Sequence, residues 1–195
     1  TQLLDNIFSI AKISNTLSEE EQLSILNAAQ KELLSTSSEE TIDNIITFLE
    51  HTQTQLKIIG KLPNHTTELI KLSSITFTAI NQNKYLDAKI KRCINRLLIP
   101  TIKTTLIDKQ FFIHSNHPLR VLLNEISTFG LGWQHSEDPT CSSHIIKTID
   151  RITTNLCLDF DSNTHIFSLA VIELKKHRAQ EEKQLSLLNL RLLTG

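Results

Sequence analysis

At 195 residues the chain is long enough for one sizeable core, and 39% hydrophobic with 21% charged residues is the balance of an ordinary globular protein. Twenty basic and 21 acidic residues give a formal net charge of −1, which excludes a global field that would recruit nucleic acid or an anionic membrane surface. No apolar run reaches the roughly 18 residues of a membrane span, and no basic-then-apolar leader is visible.

Four glycines and four prolines leave few tight turns, so long helices are expected. Cys93, Cys141 and Cys157 are widely spaced and form no C-x-x-C pair, the pattern of reduced thiols in a cytoplasmic protein. A start at Thr1 and the lack of any Met suggest a piece of a larger protein.

Leu3, Leu4, Ile7, Ile10 and Ala11 share one side of a short amphipathic helix from Leu3 to Ile13. Ser18 and Glu21 form a capping box for a second helix through Leu23, Leu26, Ala29 and Leu33. A third helix starts behind Ser38, carries Ile42, Ile45, Ile46, Leu49, Leu56 and Ile59, and is closed by Gly60 with Pro63 beyond. Thr66 to Asn81 reads as a fourth helix through Leu69, Leu72, Ile75, Phe77 and Ile80. Lys84 to Leu98 reads as a fifth, kinked or interrupted at Pro100, with an apolar pattern resuming to Phe112.

The densest signals lie in Phe111–Trp133, around which the chain looks organised. Ser115-Asn116-His117-Pro118 is a helix start, and Leu119, Leu122, Leu123, Ile126 and Phe129 form one apolar face. Gly130 is expected to end this helix in the left-handed conformation, with Gly132 and Trp133 folding the chain back. Asp138-Pro139 starts the next helix, striped by Ile145, Ile149, Ile152 and Leu156, and Asp159 to Asn163 is a turn. The last helix opens with Phe167, Ala170, Val171 and Leu174, then becomes a solvated polar band from Lys175 to Gln184, laced by pairs such as Arg178–Glu182. The segment Leu185–Leu193 turns apolar again past the end of the core, a candidate surface for self-association or a protein partner. The expectation is an all-α, bundle-like single domain over residues 1–195, of about eight helices, with 184–195 as an extending tail.

The run Leu98-Ile99-Pro100, Leu106-Ile107-Asp108, Phe111-Phe112, His117-Pro118, Arg120, Leu122-Leu123-Asn124 and Gly130-Leu131-Gly132-Trp133 resembles a bacterial domain-of-unknown-function family. Proteobacterial members often bear the label thymidine phosphorylase. The likeness is dense from about Ile42 to Trp133 and thins toward Gln184. Leu119 stands where the family has Ala, and Lys109-Gln110 where it has Pro-Ser. Longer members end in a segment resembling PilZ domains, so the resemblance implies a bacterial regulatory protein with a link to cyclic-di-GMP signalling. It also implies that Asp108, Phe111, Phe112, His117, Pro118, Gly130, Gly132 and Trp133 form a structural motif.

Several clusters invite a chemical reading. His114, His117, His135, Cys141 and His144 have zinc-like spacing, yet His117 is a natural cap before Pro118 and the structural reading is preferred. Cys141 or Cys157 with His144 or His165 would need an activated thiolate, which nothing local marks. No phosphate cradle supports a phosphorylase, since Gly130-x-Gly132 alone is more simply a helix stop. Asp43, Asp87 and Asp108 read as caps or structural partners rather than acids or bases.

Arg120, Asn124 and Glu125 lie off the apolar face of their helix, as a partner surface, or as a solvated face or a hydrogen bond to an adjacent loop. Lys84, Lys89, Lys91, Arg92 and Arg96 are the densest positive group. The functional expectation is a non-enzymatic interaction or scaffold domain without metal or cofactor, with Lys89, Arg92, Arg96, Arg120 and Asn124 as candidate binding residues. The alternative is a nucleotide or small-ligand sensor built on the basic helix; a metal-dependent hydrolase ranks third.

Overall fold

The computed structural model describes residues 16–36, 39–132 and 139–194. Ten helical segments follow one another among them: α1 (Glu19–Thr36), α2 (Glu39–Asp43), α3 (Ile45–Gln55), α4 (Asn64–Gln82), α5 (Ala88–Asn95), α6 (Leu98–Ile107), α7 (Gln110–Ile113), α8 (Pro118–Gly132), α9 (Pro139–Asp159) and α10 (His165–Thr194). The fold is all-α and bundle-like, with a long last helix. The first amphipathic stretch, the Ser38 cap, Trp133, His135 and the Asp138 cap lie outside the described residues, as does the Cys141 side chain.

The centre of the bundle is α6. Every residue from Leu98 to Thr105 is buried, so this helix is enclosed all round. Its threonines are accommodated locally: Thr101, Thr104 and Thr105 donate their hydroxyls to the carbonyls of Leu97, Pro100 and Ile102 at 2.7–2.8 Å. Helices α1, α4 and α7 pack on α6, while α9 packs on α1, α5 and α10, and α10 lies along α8. The fifth sequence helix divides at Arg96–Leu97, four residues ahead of Pro100. Pro100 has no N–H to give the carbonyl of Arg96, and the Cys157 thiol donates to that oxygen instead, at 3.0 Å.

Caps fix several starts. Ser18 Oγ accepts from the Glu21 N–H while Glu21 returns the bond to the Ser18 N–H, so the capping box forms. Asp87 caps α5 by accepting the Lys89 N–H at 2.7 Å, which sets the start of that helix four residues later than Lys84. Asn163 caps α10 through the His165 N–H.

Two expectations for the third helix fail for identifiable reasons. The third helix is split at Asn44, because the Ile42 carbonyl accepts from Ser74 and the Asp43 carboxylate from Thr78 on α4. It ends at Gln55 rather than at Gly60: Lys57 takes the left-handed conformation (φ 57°), and Gln53 Nε2 donates to the carbonyls of Ile58 and Gly60. On α4 the buried face is Thr66, Ile70, Ser73 and Phe77, whereas Leu72 and Ile75 point outward.

Gly130 does not terminate α8, which continues to Gly132 without a left-handed residue. Its role is close approach. A Cβ at Gly130 would meet Leu86 Cδ1 and come within 2.9 Å of Ile90 Cγ2. The second of these is β-branched and helical, with little rotamer freedom to yield. Gly130→Ala in an exposed helix would add about 1 kcal/mol of stability. Here overpacking against α5 reverses the sign, and chemical denaturation should show a loss of about 1 kcal/mol. A stabilised variant would mean that α5 and α8 are not in close contact.

Candidate functional site

The family-like motif folds into one corner where α6, α7 and α8 meet. Asp108 ends α6, and its Oδ1 accepts the Gln110 N–H at 2.9 Å to start the single turn of α7. Phe111 stands edge-on to Phe112 and to the His117 ring, with centroids 5.0 and 5.4 Å apart. His117 is buried, and its Nδ1 accepts the Leu119 N–H at 3.2 Å, capping α8 just ahead of Pro118. That bond leaves the proton on Nε2, which faces Asp108 Oδ2 at 3.5 Å, the outer limit of a hydrogen bond. Burial holds the His117 pKa below the ordinary 6.5, against the smaller opposing pull of Asp108.

Arg120 completes the corner. Its Nη1 donates to the carbonyls of Phe112 (3.3 Å) and Phe111 (3.5 Å), closing the end of α7. The rest of its side chain faces a groove of about 680 Å³. Ile75, Thr76, Ala79, Ile80 and Asn83 of α4 form one wall, and Arg120, Leu123, Asn124 and Ser127 of α8 the other, with Phe111 and Phe112 between. Both sets recur at helical spacing, and Arg120 is the one charged residue among them. Arg120 and Asn124 therefore share one surface. Glu125 does not: it turns to α10 and pairs with Lys175 (3.4 Å) and Arg178 (3.9 Å).

The basic group does not stand together as a free patch. Arg96 is paired with Asp150 at 2.5 Å and donates to Thr154. Lys91 donates to the Asn81 carbonyl at 2.6 Å. Lys84, Lys89 and Arg92 are exposed.

The described thiols are poor nucleophiles. Burial pushes Cys93 up to about 11 and Cys157 up to about 12. No group of three or more His, Cys, Asp or Glu among the described residues could hold a metal ion. His144 lies 3.8 Å from Glu181, whose carboxyl is raised by burial.

Lys103, which sequence reading passes over, is fully buried. Its ammonium donates to the Phe160 carbonyl just past α9 (2.8 Å) and to Gln30 Oε1 of α1 (3.4 Å), and lies 4.9 Å from the Phe160 ring centroid. Gln30 Nε2 reaches the carbonyls of Cys157 and Phe160 at 2.6 and 3.2 Å. The available signal was a lysine inside an otherwise unbroken apolar and Thr run, Leu98–Ile107.

Among the described residues no helix is long and apolar enough to cross a membrane. A family model described as "Protein of unknown function (DUF1631) 2nd domain" matches residues 8–163. Helix α10 lies beyond that match. No curated protein and no solved structure matches the chain at a significant level.

Because the folded His117 pKa lies below the unfolded one, the unfolded chain takes up this proton first on acidification. Stability from this group is complete above about pH 6.5 and declines as pH falls toward the folded pKa. His117→Asn keeps an acceptor for the Leu119 N–H and cannot titrate. Between pH 6.5 and 5 the native chain should lose more stability than H117N, by up to about 1.4 kcal/mol per pH unit; equal slopes in denaturant titrations would show that His117 protonates as readily folded as unfolded.

Proposed function

The chain belongs to the DUF1631 second-domain family, and from that premise we propose that it is a non-enzymatic interaction domain that assembles through the far end of α10. One observation carries this reading. Among the residues of α10 whose burial is described, Leu174 is the last buried one, and those from Lys175 to Leu190 are all at least partly exposed. At 1.5 Å per residue, the 20 residues from Lys175 to Thr194 extend about 30 Å. The polar band is held by Glu125 from α8 and by the Arg178–Glu182 pair at 2.9 Å. Beyond it, Leu187 and Leu190 stand exposed at 50% and 58%. Leu185, Leu188 and Leu192 add the three- and four-residue spacing of a helix that pairs along its length.

A non-enzymatic role is supported by what the reactive groups are doing. His117 has one nitrogen committed to a cap and the other turned to Asp108, Lys103 is enclosed, and the described thiols are held protonated. Engagement of Arg96 and Lys91 within the bundle weakens the nucleotide-sensor alternative. The resemblance to proteins with PilZ-like endings is the support for a role in a bacterial regulatory protein of cyclic-di-GMP signalling.

Light scattering across a concentration series tests the assembly. The native chain should rise from 22.2 kDa toward twice that mass. The double variant Leu187→Glu, Leu190→Glu, at exposed positions, should stay monomeric with unchanged helical content. A native chain that remains monomeric throughout would refute assembly through α10.

A further inference from the structure

Arg120 brings a single charge to the groove between α4 and α8. Its Nη1 is held by the Phe112 and Phe111 carbonyls at 3.3 and 3.5 Å, while Nε and Nη2 bond to no described residue. No carboxylate lines the groove among the described residues. A guanidinium presents its donors as a planar fork, which a carboxylate matches with two parallel hydrogen bonds. Beside it, Ile75, Ala79, Ile80, Leu123 and Phe112 supply apolar surface, with Ile75 exposed at 66%. A surface helix with one apolar stripe facing the core would carry polar residues at Ile75 and Ala79. We propose that this groove binds a small aliphatic monocarboxylate, its carboxylate on Arg120 and its alkyl chain against α4.

Size and charge narrow the class. The volume of about 680 Å³ falls within the range of about 300–1,000 Å³ typical of small-ligand sites. From Arg120 to Ser127 the groove follows α8 for about 10 Å. A docked protein needs about 800 Å² on each partner, more than about two helical turns on either wall can offer. One cation balances one anion. A nucleoside diphosphate or triphosphate would leave further charge against apolar side chains, at high cost.

The polar residues of the lining agree with this division into a charged end and an alkyl seat. Asn124, one turn beyond Arg120, brings an amide donor to the same end. Thr76 and Ser127 turn their hydroxyls back to the carbonyls of Leu72 and Leu123, so neither leaves a bare donor beside hydrocarbon. The two backbone carbonyls fix the guanidinium before a ligand arrives, so little side-chain entropy is lost on binding.

Isothermal titration calorimetry of the full chain with octanoate and octanol, the same alkyl chain with and without the charge, tests the site. Octanoate should bind at one site per chain, at least about tenfold tighter than octanol, as a charge-assisted hydrogen bond requires. Arg120→Gln should remove that preference. Because Arg120 also closes α7, a second variant leaves it in place: Ala79→Trp, at an exposed wall position, fills the groove and should abolish octanoate binding with helical content unchanged. The Leu187→Glu, Leu190→Glu chain should bind octanoate as the native chain does, which separates this site from assembly through α10. Absence of octanoate binding, equal affinities for octanoate and octanol, or native-like binding by Ala79→Trp would each overturn the proposal. So would loss of binding in the α10 variant, which would place the ligand on the tail, or tighter binding of octyl phosphate than of octanoate, which would make the groove a phosphate site.

Discussion

An ammonium group with no access to water ties this bundle together. Lys103 projects from the enclosed helix α6 to the carbonyl of Phe160 past the end of α9, with Gln30 of α1 beside it. Burying a lysine is costly, and desolvation lowers its pKa while Asp161 pulls the other way. The partners suit the charge. Carbonyls at a helix C-terminus carry the negative end of the macrodipole, and the Phe160 ring adds its electron-rich face. The same carbonyl accepts from Gln30, so α1, α6 and α9 meet at one oxygen. With that junction made, α9 is positioned to pair Asp150 with Arg96 and to bring Cys157 to the carbonyl that Pro100 leaves open.

The motif corner is a second polar junction built on the same logic. Asp108, His117 and Arg120 each satisfy backbone groups at helix ends that a three-helix turn would otherwise leave bare. Fixing α7 between α6 and α8 also sets Phe111 and Phe112 into the groove between α4 and α8. The motif thus shapes a surface, and Gly130 lets α8 lie close enough to α5 to hold that surface in place.

Much of this was legible in the residues where local rules and tertiary packing agree. The Ser18–Glu21 box, the His117 cap, the α9 stripe of Ile149, Ile152 and Leu156, and the Arg178–Glu182 pair all appear as read. The centre was not legible. Sequence patterning points to Phe111–Trp133 because glycine, proline and tryptophan concentrate there, whereas α6 is central and is disguised by Thr and Lys that satisfy themselves by tertiary or local bonds. On α4 the helix was legible through its apolar residues, but which of them face the core was not, since periodicity reports an apolar face and not what covers it. Gly130 was mistaken for a helix stop because close approach and a left-handed turn use the same residue. The groove itself, which joins residues more than 40 positions apart, has no local signature.

The Lys103 junction is tested most directly by Lys103→Met, which retains the length and volume of the stem and removes the charge. Unfolding free energies from denaturant titration should fall by about 1.5–3 kcal/mol, the value of hydrogen bonds made by a charged donor. Unchanged or greater stability would contradict the junction, placing the weight on packing of the stem and making the ammonium a tolerated burden.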